Sequence, residues 1–186
     1  HPIGEDRRTG RRRRGRRRRR QTAAHSETGH RGAGADPARQ RGPLDDLGIV
    51  TTINWFCREF ESTYLDIHIQ KEIDIKEEEV PDSLKIVIYR VLQEAMNNIA
   101  KHSRANAVFL SLRKSGGSIE LAIRDNGQGF DPVEANSQTG TTRGLGLESM
   151  RERVEVSGGS YLIESTNAAG TAIRAVWLIK NGEPLF

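Results

Sequence analysis

A carboxylate and a carboxamide one helical turn apart, Glu94 and Asn98, are followed one turn later by Lys101 and His102. On a helix all four project from one side, because residues three and four apart are surface neighbours. The oxygens of Glu94 and Asn98 suit a hard divalent cation such as Mg²⁺, while Lys101 and His102 supply positive or donor groups for phosphate oxygens. Taken alone, the quartet is more often a solvated helix face with an ordinary ion pair. A second element is Asp125-Asn126-Gly127-Gln128-Gly129-Phe130, directly after the strand-like Ile119 to Arg124. A carboxylate at a strand end, followed by two glycines that let backbone approach a ligand, suits a hydrogen bond from an exocyclic amine. A buried charge-assisted bond of that kind is worth about 1.5 to 3 kcal/mol and favours adenine over guanine, which carries a carbonyl where adenine has its amine. The competing reading is a tight turn, since Asp, Asn and Gly are common turn formers. The third element is Arg143-Gly144-Leu145-Gly146-Leu147. Two positions without side chains at a helix start expose amide donors to an anion, and the helix dipole adds attraction. No third glycine and no helix follow Asp125 as a Rossmann fingerprint requires, and no Walker A sequence occurs.

These residues need elements to hold them. Leu44, Leu47, Ile49, Ile53, Phe56 and Phe60 recur at mostly three- and four-residue steps, predicting a helix to about Ser62 after a turn at Gly48. Tyr64 to Ile75 alternates as a strand, with Leu65, Ile67, Ile69, Ile73 and Ile75 on one side. Pro81-Asp82-Ser83 starts a long amphipathic helix in which Leu84, Val87, Val91, Ala95 and Ile99 share a face up to His102. Ala107 to Lys114 and Ser118 to Arg124 form a hairpin through Ser115, Gly116 and Gly117. Residues 125–143 read as a mobile loop, Leu145 to Val156 as a helix closed by Gly158 and Gly159. A second hairpin joins Ser160–Thr166 to Thr171–Ile179. This order predicts an α/β fold, a two-layer sandwich with a mixed sheet and helices on one face. Trp55, Phe56, Phe109 and Trp177 are expected in helix–sheet packing, Cys57 as a small buried apolar residue, and Glu77 to Glu79 as a solvated acidic turn.

Charge divides the chain. Of 29 basic residues, 14 lie in residues 1–42, all arginine, against four acids; the other 144 residues carry 15 basic and 21 acidic side chains. Residues 1–42 have no aromatic residue and one large aliphatic, Ile3, so they cannot bury enough apolar area to offset ordering entropy and are expected to be disordered. The remainder, 43–186, is the predicted domain. The arginine runs suit nonspecific contact with nucleic acid or anionic lipid, but without aromatic residues to stack on bases a solvated tail is favoured. One cysteine excludes an internal disulfide and any all-cysteine metal site. No apolar run approaches a membrane span, and the first residues lack the apolar core of a secretory signal.

The runs YRVLQEAMNNIAKHS from Tyr89, DNGQGF from Asp125, RGLGLESMRERV from Arg143 and GTAIRAVW from Gly170 resemble, in this order, the catalytic ATP-binding domain of sensor histidine kinases. The first three correspond to that family's N, G1 and G2 boxes. Within it the chain most resembles the subfamily that signals to response regulators of the nitrate/nitrite type, down to the LDDLG junction at Leu44 to Gly48. The resemblance covers about residues 44–179 and implies the Bergerat sandwich, with ATP and Mg²⁺ as cofactors. It implies that Asn98 ligates Mg²⁺, that Glu94 polarises a Mg²⁺-bound water or acts as base, and that Lys101 and His102 face the phosphates. Asp125 would hold the adenine amine in a pocket shaped by Gly127 and Gly129, with Thr171 supporting the adenine through a water. Arg143, Gly144, Leu145 and Gly146 would close over the triphosphate.

The implied reaction is transfer of the ATP γ-phosphoryl group to a histidine, in a two-component phosphorelay whose partner is a response regulator of the nitrate/nitrite class with LuxR-type output. The expected location is cytoplasmic, which is compatible with a longer parent anchored in a membrane. The resemblance also implies phosphoacceptor and dimerisation helices before Leu44. There the chain has its arginine-rich stretch, whose histidines, His1, His25 and His30, sit in no helical apolar pattern. As written, the chain is expected to bind nucleotide without its own phosphoacceptor, and a frame error upstream is one reading of that stretch. Two alternatives share the fold: a stand-alone anti-sigma-type serine kinase and a non-catalytic nucleotide-binding module.

Overall fold

The computed structural model describes residues 47–131, 142–180 and 182–185, with backbone alone at 142–144. The arginine-rich stretch and most of the expected loop lie outside the described residues. Helix α1 (Ile49–Thr63) is followed by β1 (His68–Asp74), a 3₁₀ turn (Glu77–Glu79), α2 (Asp82–Asn98) and a π-helical turn (Ile99–Ser103). Then come β2 (Ala107–Ser115), β3 (Ser118–Asp125), α3 (Thr142–Val156), β4 (Gly159–Ser165), β5 (Thr171–Lys180) and a two-residue β6 (Glu183–Pro184). The sheet runs β1-β2-β3-β5-β4, with β6 paired to β5. Among the described strands only β1 and β2 pair in parallel, and α2 supplies the crossover that a parallel pair requires. β2 and β3 meet through Gly116-Gly117, both with positive φ (57° and 79°), as a two-residue hairpin turn demands. The expected two-layer mixed α/β sandwich is the one found.

The core lies between the sheet and the helices. Leu110, Leu112, Ile119, Leu121, Ile123 and Trp177 face Ile53 of α1, Leu84, Ile88, Leu92 and Met96 of α2, and Met150 and Val154 of α3. Trp177 is fully buried, and its indole N–H donates to Ser157 Oγ at 2.9 Å, so its polar end is satisfied. Cys57 is buried as expected, and burial pushes its thiol up to about 11, which keeps it protonated and unreactive at neutral pH. On the opposite sheet face Glu120 bridges Arg113 and Arg174 across three strands.

Several expectations change. Phe109, between the inward Val108 and Leu110, is outside the core. The strand begins at His68, not Tyr64, because Tyr64–Ile67 turns with an Ile67 N–H to Tyr64 carbonyl bond of 3.0 Å; Leu65 is consequently 78% exposed. Trp55 is 41% exposed on the outer side of α1 and does not join the core. Glu77 is no idle surface acid. Its two carboxylate oxygens accept the N–H groups of Ile49 and Val50, both at 3.0 Å, capping α1 from a distant segment, and Lys85 pairs with it at 3.0 Å. The first helical amides lack intrahelical partners, so a carboxylate there satisfies them and complements the dipole.

Burial alone would raise the Glu77 carboxyl, but those two amides and Lys85 outweigh it and hold it below the usual glutamate range. A depressed carboxyl stabilises the fold above its ordinary range and loses that contribution as pH falls through the depressed value. Glu77→Gln is expected to cost about 1 kcal/mol of stability in urea unfolding at pH 7, a moderate figure because the side chain is partly solvated. The gap to the wild type should close on acidification; an equal gap at every pH would discount the charge.

Candidate functional site

Strand β3 turns Ile119, Leu121 and Ile123 toward the helices, and the period of two carries the next inward position to Asp125. A carboxylate is thereby driven inside at a strand end, only 4% exposed. Burial raises its pKa, opposed by hydrogen bonds from the backbone N–H groups of Gly127 and Thr171. The Gly127 bond measures 2.8 Å to Oδ1. Two amides leave further acceptor positions on the carboxylate. Thr171, which opens β5, pairs in register with Asp125.

The loop after Asp125 is fastened to the end of the π turn. A Cβ at Gly127 would collide with the Ser103 carbonyl, so only glycine fits. The Gln128 backbone N–H donates to that carbonyl at 2.7 Å, and its side-chain amide donates to the His102 carbonyl at 2.7 Å. Asn126 Oδ1 accepts from the N–H groups of Asn106 and Ala107 at 3.1 and 3.0 Å. Ser103 Oγ donates to the Ile99 carbonyl at 2.9 Å and accepts from the Ala105 N–H at 3.0 Å. The regular helix expected to reach His102 therefore ends at Asn98, and the wider turn that follows redistributes its last side chains. Such π turns recur at functional sites. Here His102 lines the pocket, while Lys101 is exposed outside its lining.

That pocket is narrow and lies among Asn98, His102, Asp125, Gly129, Phe130 and Thr171, between apolar walls that include Ile123, Leu147 and Ile173. Asn98 Nδ2 is buried and, among the described residues, has no hydrogen-bond partner. Glu94, one turn earlier, lies against Gly146: a Cβ there would strike Glu94 Oε1 and sit 3.4 Å from Asn98 Nδ2. The second glycine of the third motif thus brings the backbone of α3 onto the first motif. Leu145 beside it is 71% exposed and points away. The side chain of Arg143 and the surroundings of Gly144 lie outside the described residues.

A larger groove, about 620 Å³, runs beside this pocket along α1 and α2, with Trp55, Phe56, Tyr89 and Glu94 on its sides. The smaller space is the one lined by both the buried carboxylate and the partnerless amide, the combination expected of a ligand site. The structure brings together Asn98, His102, Asp125, Gly129 and Thr171, with Glu94 and Gly146 at the margin. Ser103, Gln128 and Phe130 were not picked out by spacing; Gln128 carried a signal only by standing between two motif glycines. The arrangement can take a flat ring bearing an amine between apolar walls, with an anion and a hard cation at the Asn98 end.

Comparison with known proteins points the same way. Residues 84–181 match the family described as histidine kinase-, DNA gyrase B-, and HSP90-like ATPase. The chain is 31% identical over 134 residues to the signal transduction histidine-protein kinase/phosphatase DegS of Brevibacillus brevis, covering 72% of this chain and 33% of that protein. It is 30% identical over 132 residues to DegS of Bacillus subtilis strain 168, covering 70% and 34%. The chain thus spans about a third of the length of these relatives. Among solved structures, the blue-light activated histidine kinase of Erythrobacter litoralis EL346 superposes with a TM-score of 0.55 at 16% identity, covering 69% of this chain and 41% of that one. The mycobacterial sensor histidine kinase MprB superposes with a TM-score of 0.53 at 22% identity, covering 73% and 95%.

Proposed function

The chain belongs to the histidine kinase-, DNA gyrase B- and HSP90-like ATPase family, and from that premise we propose that it is the ATP-binding catalytic domain of a two-component sensor histidine kinase. The observation that carries the reading is the Asp125 carboxylate, buried at a strand end with two amides on it and acceptor capacity left for an amine. Ile123, Ile173 and Phe130 would flank the adenine, Asp125 would accept from its amine, and Asn98 and His102 would face the phosphates.

The donor set fits Mg²⁺. No cluster of three or more acidic, histidine or cysteine side chains able to hold a metal occurs among the described residues. Mg²⁺ takes most of its ligands from phosphates and water and needs only one or two side chains; the Asn98 amide oxygen and the Glu94 carboxylate would supply them, while the partnerless Asn98 Nδ2 is a donor that a phosphate oxygen would satisfy. Bound there, the cation would neutralise charge on the phosphate oxygens. The protein's part is positional: Asp125 and the apolar walls fix the base, Asn98 and Glu94 hold the metal end, and His102 offers a donor or positive group where negative charge accumulates. Lys101, exposed in this conformation, reaches phosphate only if its side chain swings inward.

The proposal extends to an acceptor histidine on a separate segment or protein, and to a response regulator of the nitrate/nitrite, LuxR-output class as partner. No helix among the described residues is long and apolar enough to cross a membrane. The test is a calorimetric titration with ATP, with and without Mg²⁺, followed by incubation with the histidine-bearing domain of a DegS relative. Binding and acid-labile phosphate on that domain are expected. Absence of nucleotide binding would overturn the proposal, and acid-stable phosphate on serine would favour the anti-sigma-type kinase instead.

A further inference from the structure

The π turn ends on carbonyls that need partners from elsewhere in the chain. Were the helix continued past Ser103, the His102 carbonyl would accept from the N–H four or five residues on, at Asn106 or Ala107. Both of those N–H groups go instead to Asn126 Oδ1, at 3.1 and 3.0 Å. Arg104, in the left-handed region at φ 56°, turns the chain away. Gln128 fills the gap: its side-chain amide donates to the His102 carbonyl at 2.7 Å, and its backbone N–H donates to the Ser103 carbonyl at 2.7 Å. Within one short loop, Asn126 occupies the donors that would prolong the helix and Gln128 supplies donors to the carbonyls left over. Other bonds at this turn, from Ser103 Oγ to the Ile99 carbonyl and from the Ala105 N–H to Ser103 Oγ, converge on Ser103 rather than His102. The Gln128 carbonyl accepts the Ala168 N–H at 2.6 Å, so its backbone is held from the far side as well.

We propose that Gln128 is a positioning residue for the phosphate end of the pocket: its amide holds the His102 peptide so that the π turn presents His102, and not Lys101, to bound phosphate. The inference rests on the nucleotide reading of this pocket and concerns its Asn98 and His102 end. On a regular helix Asn98 shares a face with both Lys101 and His102, three and four residues on. The π turn breaks that equivalence, leaving His102 in the lining and Lys101 exposed outside it. Such a turn is rare and persists where its surroundings over-determine it. Gln128 does this with an exposed side chain that adds nothing to the apolar core. It stands outside the pocket lining, so it acts on the ligand through His102 rather than by touching it.

The experiment is a double-mutant cycle on the full chain, read as affinity for ATP with Mg²⁺ by calorimetry: wild type, Gln128→Met, His102→Ala and the two combined. Methionine keeps the length of the side chain and removes its donor, while the backbone bonds to Ser103 and Ala168 stay. Gln128→Met is expected to weaken ATP about three- to tenfold, the size of one hydrogen bond to phosphate. Once His102 is alanine the same change should cost less than about twofold, because residues that act through one another are not additive. A scaffold role would give equal losses in both backgrounds. That result, or a Gln128→Met affinity within about twofold of the wild type, overturns the assignment. Should Gln128→Met not fold, Gln128→Asn, whose amide falls one carbon short of the His102 carbonyl, decides by the same criteria. A wild type that binds no ATP defeats the nucleotide reading itself, whereas a His102→Ala affinity equal to that of the wild type defeats only the role of Gln128.

Discussion

Replacing Asp125 by asparagine is expected to weaken ATP binding about 10- to 100-fold while leaving the fold intact. The lost item is a charge-assisted hydrogen bond in a buried site, worth about 1.5 to 3 kcal/mol. Asparagine keeps one oxygen, enough for the Gly127 N–H at 2.8 Å, but turns an NH₂ toward either the Thr171 N–H or the adenine amine, donor against donor. Stability should hold, because burial raises the Asp125 pKa and so disfavours its ionised form in the folded state. A raised carboxyl contributes its full stability below its ordinary range and loses it as pH rises through the raised value, so a neutral amide is no worse at pH 7. Binding runs the opposite way. The amine needs the ionised acceptor, so wild-type affinity falls as pH drops through the raised Asp125 value, at less acidic pH than an exposed aspartate would impose. Affinity measured from pH 4 to 8 should show this slope in the wild type and lose it in Asp125→Asn. Unchanged affinity in the variant would remove the adenine assignment.

Asn98→Ala is expected to abolish the Mg²⁺ enhancement of ATP binding, on the order of 10- to 100-fold, without loss of stability. The second half distinguishes a ligand from a scaffold residue. Asn98 Nδ2 is buried without a partner among the described residues, and such a group costs roughly 1 to 3 kcal/mol. Its removal should leave the melting temperature of the nucleotide-free protein equal or higher. A donor kept at that cost fits a site where an acceptor such as a phosphate oxygen binds, with the amide oxygen left for the metal. Titrations with and without Mg²⁺ decide: a variant that still responds to the metal loses Asn98 as ligand, and one that melts much earlier reassigns it to the scaffold.

Much of this was legible in the sequence because the fold rests on two strong periodicities. Ile119, Leu121 and Ile123 alternate, and Leu84, Val91, Ala95 and Ile99 recur at helical steps, so the strand and the long helix followed from counting, and Asp125 was legible as a carboxylate at a strand end. What failed was nonlocal. Glu77 reads as a solvated acid in any local window, and only the tertiary arrangement brings the amides of Ile49 and Val50 to it. Leu65 fits the alternation of β1, but a turn precedes the strand and leaves it outside. The π turn was hidden because its cause, Ser103 and the loop that fastens it, lies in hydrogen bonds rather than hydrophobic spacing.

The two tryptophans sit in opposite surroundings, Trp177 fully enclosed and bonded to Ser157, Trp55 41% open on α1. The folded chain therefore carries two indole chromophores of different colour: a blue-shifted one sheltered from acrylamide and iodide, and a red-shifted one that collisional quenchers reach. Since Ser157 closes α3, the sheltered emission follows the docking of that helix on the sheet, while the quenchable emission reads the aromatic groove along α1, so a single spectrum separates loss of the core from changes at the surface.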